Sequence, residues 1–333
     1  VARRRSRGRR RWRQIAALLA IVAAAALIAF LWTGREWRGA GPAQRPVTVR
    51  IAEGSSLSAA ARVLEREGAI RSRTRFLRLV RTFGTDDPIR AGEYEVPARA
   101  SAAEILALLQ SGRTRQHFVV VPEGMPSILV RDRLMAEPLL TGSVPVPAEA
   151  SILPDSYSFE RGESRAVVLA RMRKAMDETL AKLWKARKPS TVAKTPREAL
   201  ILASIVEKET AVPAERRTVA AVYSNRLRMG MRLQADPTVI YPITQGRPLG
   251  RRIRRSELDA DNGYNTYARA GLPAGPIANP GRESIAAVLD PARTSALYFV
   301  ADGKGGHVFA DTLAEHNANV QRWYALRRQR GEM

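Results

Sequence analysis

Residues 15–32, IAALLAIVAAAALIAFLW, run for eighteen positions without a charged side chain. A helix of that length crosses a hydrocarbon layer of about 30 Å. A helix that is apolar all round must be covered by lipid or by protein. Trp12 and Trp32 bracket the run at the positions interfacial aromatics occupy. Arg3, Arg4, Arg5, Arg7, Arg9, Arg10, Arg11 and Arg13 precede it. That cluster predicts a cytoplasmic N-terminus and places the chain beyond about residue 33 outside the membrane. A cleaved signal peptide is the alternative. Its apolar region is roughly 7–15 residues long and is followed by small residues, whereas Thr33-Gly34-Arg35-Glu36-Trp37 follows here. The expectation is a basic segment over 1–14 and a retained transmembrane helix over 15–33.

The formal net charge of the 333 residues is +23, and basic residues stay in excess after the N-terminal arginines are set aside. Such a balance suits nucleic acid, an anionic membrane face or an anionic polymer. It is also compatible with an arginine-rich composition that serves no partner. An extracytoplasmic location argues against nucleic acid. Cysteine is absent, which excludes disulfides, thiolate nucleophiles and cysteine-ligated metals. The histidines, His117, His307 and His316, have no zinc-ligand spacing. No GxSxG nucleophile elbow occurs. Neither a metal nor another cofactor is expected.

Beyond the anchor, residues 34–46 hold three glycines and two prolines and read as a linker. Residues 47–121 read as a small α+β domain. Val47, Val49 and Ile51 alternate as in a half-buried strand. Ser55 and Ser56 precede a helix that Gly68 ends, and a second helix fits 73–83. A strand fits 91–96. Ser101-Ala-Ala-Glu104 is a capping box opening a helix that Gly112 ends, and 117–121 is a short apolar strand. Residues 122–333 form a second, larger α+β domain, opening with a Pro- and Ser-rich stretch over 122–159. A helix is expected over about 165–185.

Thr195-Pro196-Arg197-Glu198 is a strong helix start: Thr195 caps, Pro196 takes the first helical position and Glu198 completes a capping box. The run ALILASIVEKETAV follows and is ended by Pro213. It is apolar almost all round, so the helix is expected at the centre of its domain. Glu207 shares a stripe with Leu200, Ala203, Ser204 and Ala211. Glu209 lies about 200° round the axis, so one carboxylate is expected buried and the other exposed. A buried carboxylate loses hydration, and its pKa rises towards what a general acid needs. Pairing with a core arginine is the alternative for such a residue.

Further motifs follow in order: RLQADPTVIY at 232–241, YNTY at 264–267, GLPAGPIANPG at 271–281, LYFVADGKGGHVF at 297–309 and EHN at 315–317. With SIVEKET at 204–210, and more loosely VPEGM at 121–125 and LPDSY at 153–157, they resemble the endolytic murein transglycosylases, also called the MltG or YceG-like family. The resemblance spans about residues 45–325. It implies an inner-membrane, periplasm-facing lyase with a LysM-like portion over 47–121 and a catalytic domain over 122–333. It also implies cleavage within nascent peptidoglycan strands, strand release or termination, and contact with wall synthases. It places the essential glutamate at the first acid of the EKE triplet, Glu207. The segment PLGRRIRRSELD is a variable, basic insertion.

A lyase of this kind needs one acid. Protonated, it donates to the oxygen leaving N-acetylmuramic acid. As a carboxylate, it then takes the proton of that sugar's C6 hydroxyl, which closes a 1,6-anhydro ring. Polar groups must stabilise the oxocarbenium-like transition state. Gln234, Asp236, Tyr264, Asn265, Asn279, His307, Glu315 and Asn317 are the candidates for binding substrate, with Asp302 and His316 beside them. Gln234 and Asn265 lead for the N-acetyl groups. Local readings compete: Asp236-Pro237 as a turn fixing a strand, Asn279-Pro280-Gly281 as a turn, and 302–306 as a hairpin loop. The rival functions are a muramidase that uses water, a membrane-tethered peptidoglycan-binding scaffold without catalysis, and a nucleic-acid binder.

Overall fold

The computed structural model describes residues 2–332 and leaves aside the side chains of 2–11 and 13, so the arginine run Arg3 to Arg13 lies outside the described side chains. The chain divides into two units, 1–117 and 118–333.

In the first unit, helix α1 (Ala2–Arg38) contains the apolar run, and residues 14–38 are long and apolar enough to cross a membrane. None of the apolar side chains of that run is buried. Helix α1 extends through Arg38, further than the sequence pattern suggested. Trp37 stacks on Phe83, with ring centroids 6.3 Å apart, and Ala43 is buried. The stretch read as a linker is therefore partly helix and packs on its own unit.

Strands β1 (Val47–Ile51) and β2 (Gly92–Val96) pair antiparallel, with Val49 opposite Tyr94. Between them run α2 (Leu57–Arg66) and α3 (Arg73–Phe83), capped by Ser56 and Ser72. Helix α4 (Ala102–Ser111) follows β2. The Ser101–Glu104 capping box opens it and Gly112, at φ 68°, ends it. Val49, Ile51, Leu64, Phe76, Tyr94, Ile105 and Leu109 close the core. These elements agree with the alternation and capping read from the sequence, but the strand expected over 117–121 does not join this sheet: it crosses the boundary between the units and pairs with residues 156–159.

In the second unit, β3 (His117–Val120) pairs with β4 (Ser156–Phe159), and α5 (Ser127–Ala136) lies between them in sequence. Helix α6 (Arg165–Lys185) leads to α7 (Pro196–Glu209). Helices α8 (Arg216–Arg228), α9 (Asp236–Thr244), α10 (Arg255–Asp259) and α11 (Arg282–Leu289) come next. Strands β5 (Tyr298–Ala301) and β6 (His307–Ala310) form an antiparallel hairpin before α12 (Leu313–Gln329). Residues 302–306 are thus the expected hairpin loop, with Asp302 Oδ1 accepting from the Lys304 and Gly306 amides.

Helix α7 is the centre of this unit, contacting α6, α8, α9 and α11. Ala199 and every residue from Ile201 to Val206 are buried, as an apolar circumference requires. Thr195 caps it, accepting from the Glu198 amide at 3.1 Å. Glu198 itself bonds the Lys194 amide, so the reciprocal box expected with Thr195 does not form. The helix stops at Glu209, with Thr210 extended. That stop precedes Pro213 and puts both glutamates in the last turn.

Candidate active site

Glu207 and Glu209 point to different surroundings, as their angular separation on α7 demands. Neither is exposed, so the expected contrast of one buried and one exposed carboxylate is not seen.

Glu207 Oε2 accepts the Gly281 amide at 2.8 Å. Its Oε1 lies 3.7 Å from Arg216 Nη2, and that nitrogen binds Glu123 Oε2 at 2.7 Å. A Cβ on Gly281 would sit 2.0 Å from Glu123 Oε1, so any larger residue there would displace the Glu123 side chain from Arg216. Both oxygens of Glu207 face donors. The side chain ties the 121–125 loop, the 279–281 loop and α8 to the end of α7. The pairing with an arginine that sequence reasoning kept as an alternative is therefore present.

Glu209 faces a cavity of about 300 Å³, walled by Tyr223, Arg226, Leu233, Gln234, Asp236, Tyr267, Phe299 and His316. Its Oε1 is buried and makes no hydrogen bond. Burial is the main cause that raises its pKa, to about 7. The facing Tyr223 hydroxyl pulls downward, Asp236 pushes up and Arg226 pulls down. Its position at the negative end of the α7 dipole also disfavours the carboxylate. The result is a carboxyl group that carries a proton for much of the time near neutral pH.

Tyr223 and Arg226 stand three residues apart on α8, one turn, so both reach the same wall. Arg226 is fixed by the Leu297 and Leu233 carbonyls, at 2.7 Å each. Asp236 is the first residue of α9, and Oδ1 accepts the Tyr267 hydroxyl at 2.6 Å. Asp236-Pro237 therefore starts a helix and does not fix a strand. His316 stacks on Tyr298 at 5.2 Å. Burial, then Arg226, lowers its pKa, favouring the neutral imidazole.

Of the residues singled out from sequence, Gln234, Asp236 and His316 line this cavity. The others are placed elsewhere. Asn265 is buried, its Nδ2 donating to the Glu257, Leu258 and Ala260 carbonyls and its Oδ1 accepting the Tyr267 amide. Its donors are taken by these carbonyls and the side chain is buried, which leaves no exposed donor for an N-acetyl group. Asn279 is fully buried and joins Met125, Ser127 and Ile152. Glu315 forms the capping box of α12 with Thr312, and Asn317 is exposed. His307 Nδ1 lies 2.7 Å from Glu215 Oε2, and Glu215 also accepts the Thr210 hydroxyl at 3.2 Å. Tyr264 packs against Tyr241, the rings tilted by 44°, beside a different cavity.

Tyr223, Arg226 and Tyr267 escaped the sequence reading. The one available signal was the second tyrosine of YNTY, two residues after a buried asparagine and therefore free to face elsewhere.

The YceG-like family profile matches residues 49–322. An endolytic murein transglycosylase of Bacillus subtilis strain 168 is 27% identical over 316 residues, covering 85% of this chain and 86% of that protein. A Streptococcus pneumoniae protein of the same name is 28% identical over 323 residues, covering 82% of this chain and 58% of the longer relative. Among solved structures, a putative YceG-like protein from Listeria monocytogenes is 30% identical. The alignment covers 83% of this chain and 99% of that one, with a TM-score of 0.50.

Proposed function

The chain belongs to the YceG-like family, and from that premise we propose that it is a membrane-anchored peptidoglycan lytic transglycosylase whose acid and base is Glu209. The observation that carries the reading is the Glu209 carboxyl: buried, with a pKa of about 7, and facing a polar cavity. The family resemblance placed this role on Glu207, and the geometry favours its neighbour two residues on. Glu207 is engaged by Gly281 and Arg216, while Glu209 has an oxygen without a partner.

Protonated Glu209 donates to the glycosidic oxygen that leaves N-acetylmuramic acid. The resulting carboxylate takes the proton from the C6 hydroxyl of that sugar. The hydroxyl oxygen attacks the anomeric carbon and a 1,6-anhydro ring closes. Tethering the nucleophile to the electrophile gives a large effective concentration. Asp236 supplies negative charge for the oxocarbenium-like centre, and the Tyr267 hydroxyl holds it in place. Neutral His316 and Gln234 are left to orient the sugar.

Helix α1 anchors the protein in the cytoplasmic membrane with its N-terminus inside, so that both units meet nascent strands and release or terminate them. Wall synthases are the partners this implies. The β-α-α-β order of the first unit, with its antiparallel strand pair, supports the LysM-like reading.

Asp236 in the same cavity also supports a second reading. Two carboxylates are the set a hydrolytic muramidase uses. The glycan ends distinguish the two. The full chain, with Glu209→Gln and Glu207→Gln variants, is incubated with sacculi and with un-crosslinked strands, and the fragments are read by mass spectrometry. Anhydro ends from the wild type, reduced roughly 10²–10⁴-fold by Glu209→Gln and largely retained by Glu207→Gln, support the proposal. Reducing ends point to the muramidase. Loss confined to Glu207→Gln returns the role to that residue.

A further inference from the structure

A second cavity, of about 480 Å³, lies in the same unit and shares no lining residue with the one around Glu209. Its size falls in the roughly 300–1,000 Å³ range of small-ligand sites. Tyr241 and Tyr264 form one wall, ring centroids 5.1 Å apart. Both rings are half-buried and rest on the core of the unit, so they are rigid and still reachable. Glu149 lines the cavity and is held by the Ser127 amide and hydroxyl at 3.0–3.1 Å. Ser151, Asp177 and Arg197 complete the polar lining.

We propose that this cavity is a saccharide subsite, holding a pyranose ring of the glycan against Tyr241 and Tyr264 with Glu149 accepting from its hydroxyls. A pyranose presents an apolar C–H face and a rim of hydroxyls. Amphipathic aromatic rings beside a fixed acceptor match both parts. Each Glu149 oxygen keeps acceptor capacity beyond its bonds to Ser127, which a sugar hydroxyl would use and a purely apolar ligand would leave idle. Burial raises the Glu149 pKa to about 7, so the group serves sugar hydroxyls as acceptor or donor. The glycan identity rests on the peptidoglycan reading above, while the site rests on its own residues.

The test uses the full chain in nanodiscs carrying Glu209→Gln, titrated calorimetrically with a GlcNAc–MurNAc tetrasaccharide that lacks stem peptides. A free stem tetrapeptide is the second probe. Ala148→Trp fills the mouth from an exposed wall position and needs no change in the core. Weakening of tetrasaccharide binding by at least about tenfold in Ala148→Trp and in Tyr264→Leu, with Tyr264→Phe within about threefold of the parent, supports the proposal. Unchanged affinity in Ala148→Trp overturns it. So does the absence of tetrasaccharide binding, or binding of the tetrapeptide alone that Ala148→Trp abolishes. Cleavage by the wild type is measured separately. If no anhydro ends appear, the catalytic reading fails while tetrasaccharide affinity still decides this one.

Discussion

Glu207 and Glu209 differ by two positions and by the chemistry their surroundings permit. Two donors surround the first carboxylate, and a cavity with an unpartnered oxygen surrounds the second. If Glu209 is the acid, turnover falls as pH rises through about 7, because the proton it donates is lost there. A rate profile against pH on un-crosslinked strands measures this; a flat profile from pH 6 to 8 would contradict it. Stability follows the same titration. The folded-state pKa of Glu209 stands above the ordinary 4.5, so the native state binds more protons between those values. Its contribution is complete below 4.5 and is lost as pH rises through about 7. Glu209→Gln should therefore raise the melting temperature at pH 8, by the equivalent of up to about 3 kcal/mol, and change it little at pH 4.5. Calorimetry at the two pH values checks it. Such a gain from removing a buried acid is the expected trade between stability and function if Glu209 carries the proposed role.

Among the elements, residues that carry the family motifs mostly hold loops in place. Asn265 gathers three carbonyls at the end of α10, and Asn279 joins the 279–281 loop to α5 and to Ile152. Replacing either by Ala leaves buried polar groups unpaired and should cost roughly 1–3 kcal/mol each in denaturant unfolding. A loss of activity without a loss of stability would show that these side chains touch substrate after all. At α7, Thr195→Ala removes one cap and should cost about 1 kcal/mol, read in the same way. Glu215 links Thr210, at the end of α7, to His307 on the β5–β6 hairpin. Phe299 of that hairpin meets Tyr223 edge-on at 5.9 Å, so the hairpin holds one wall of the Glu209 cavity.

At the scale of the molecule, the chain carries an uncovered apolar helix and two compact units. The full chain should remain with bilayers through alkaline carbonate washing. A chain starting at residue 33 should be released without detergent, because the apolar run is gone while the Trp37–Phe83 contact is kept. Starting after residue 38 removes that contact and should lower the stability of the first unit. Flotation and thermal melts of the two truncations test these outcomes.

The sequence alone determined the features that depend on neighbours along the chain. Uncharged length marked the possible span, alternation marked β1, and Ser56, Ser101 and Thr195 marked helix starts within a residue. The ordered motifs pointed to the family. Tertiary structure alone decided which glutamate faces the cavity. That depends on where α7 stops and on what α8, α9 and the 279–281 loop bring to its two sides. It likewise separated Asn265 and Glu315, bonded to near neighbours in sequence, and Asn279, bonded to residues 125–152, from Gln234, Asp236 and Tyr267, which face the cavity. Polar side chains in a motif look alike in one dimension. Only the positions of donors and acceptors distant in sequence determine which of them are already satisfied and which remain free for a substrate.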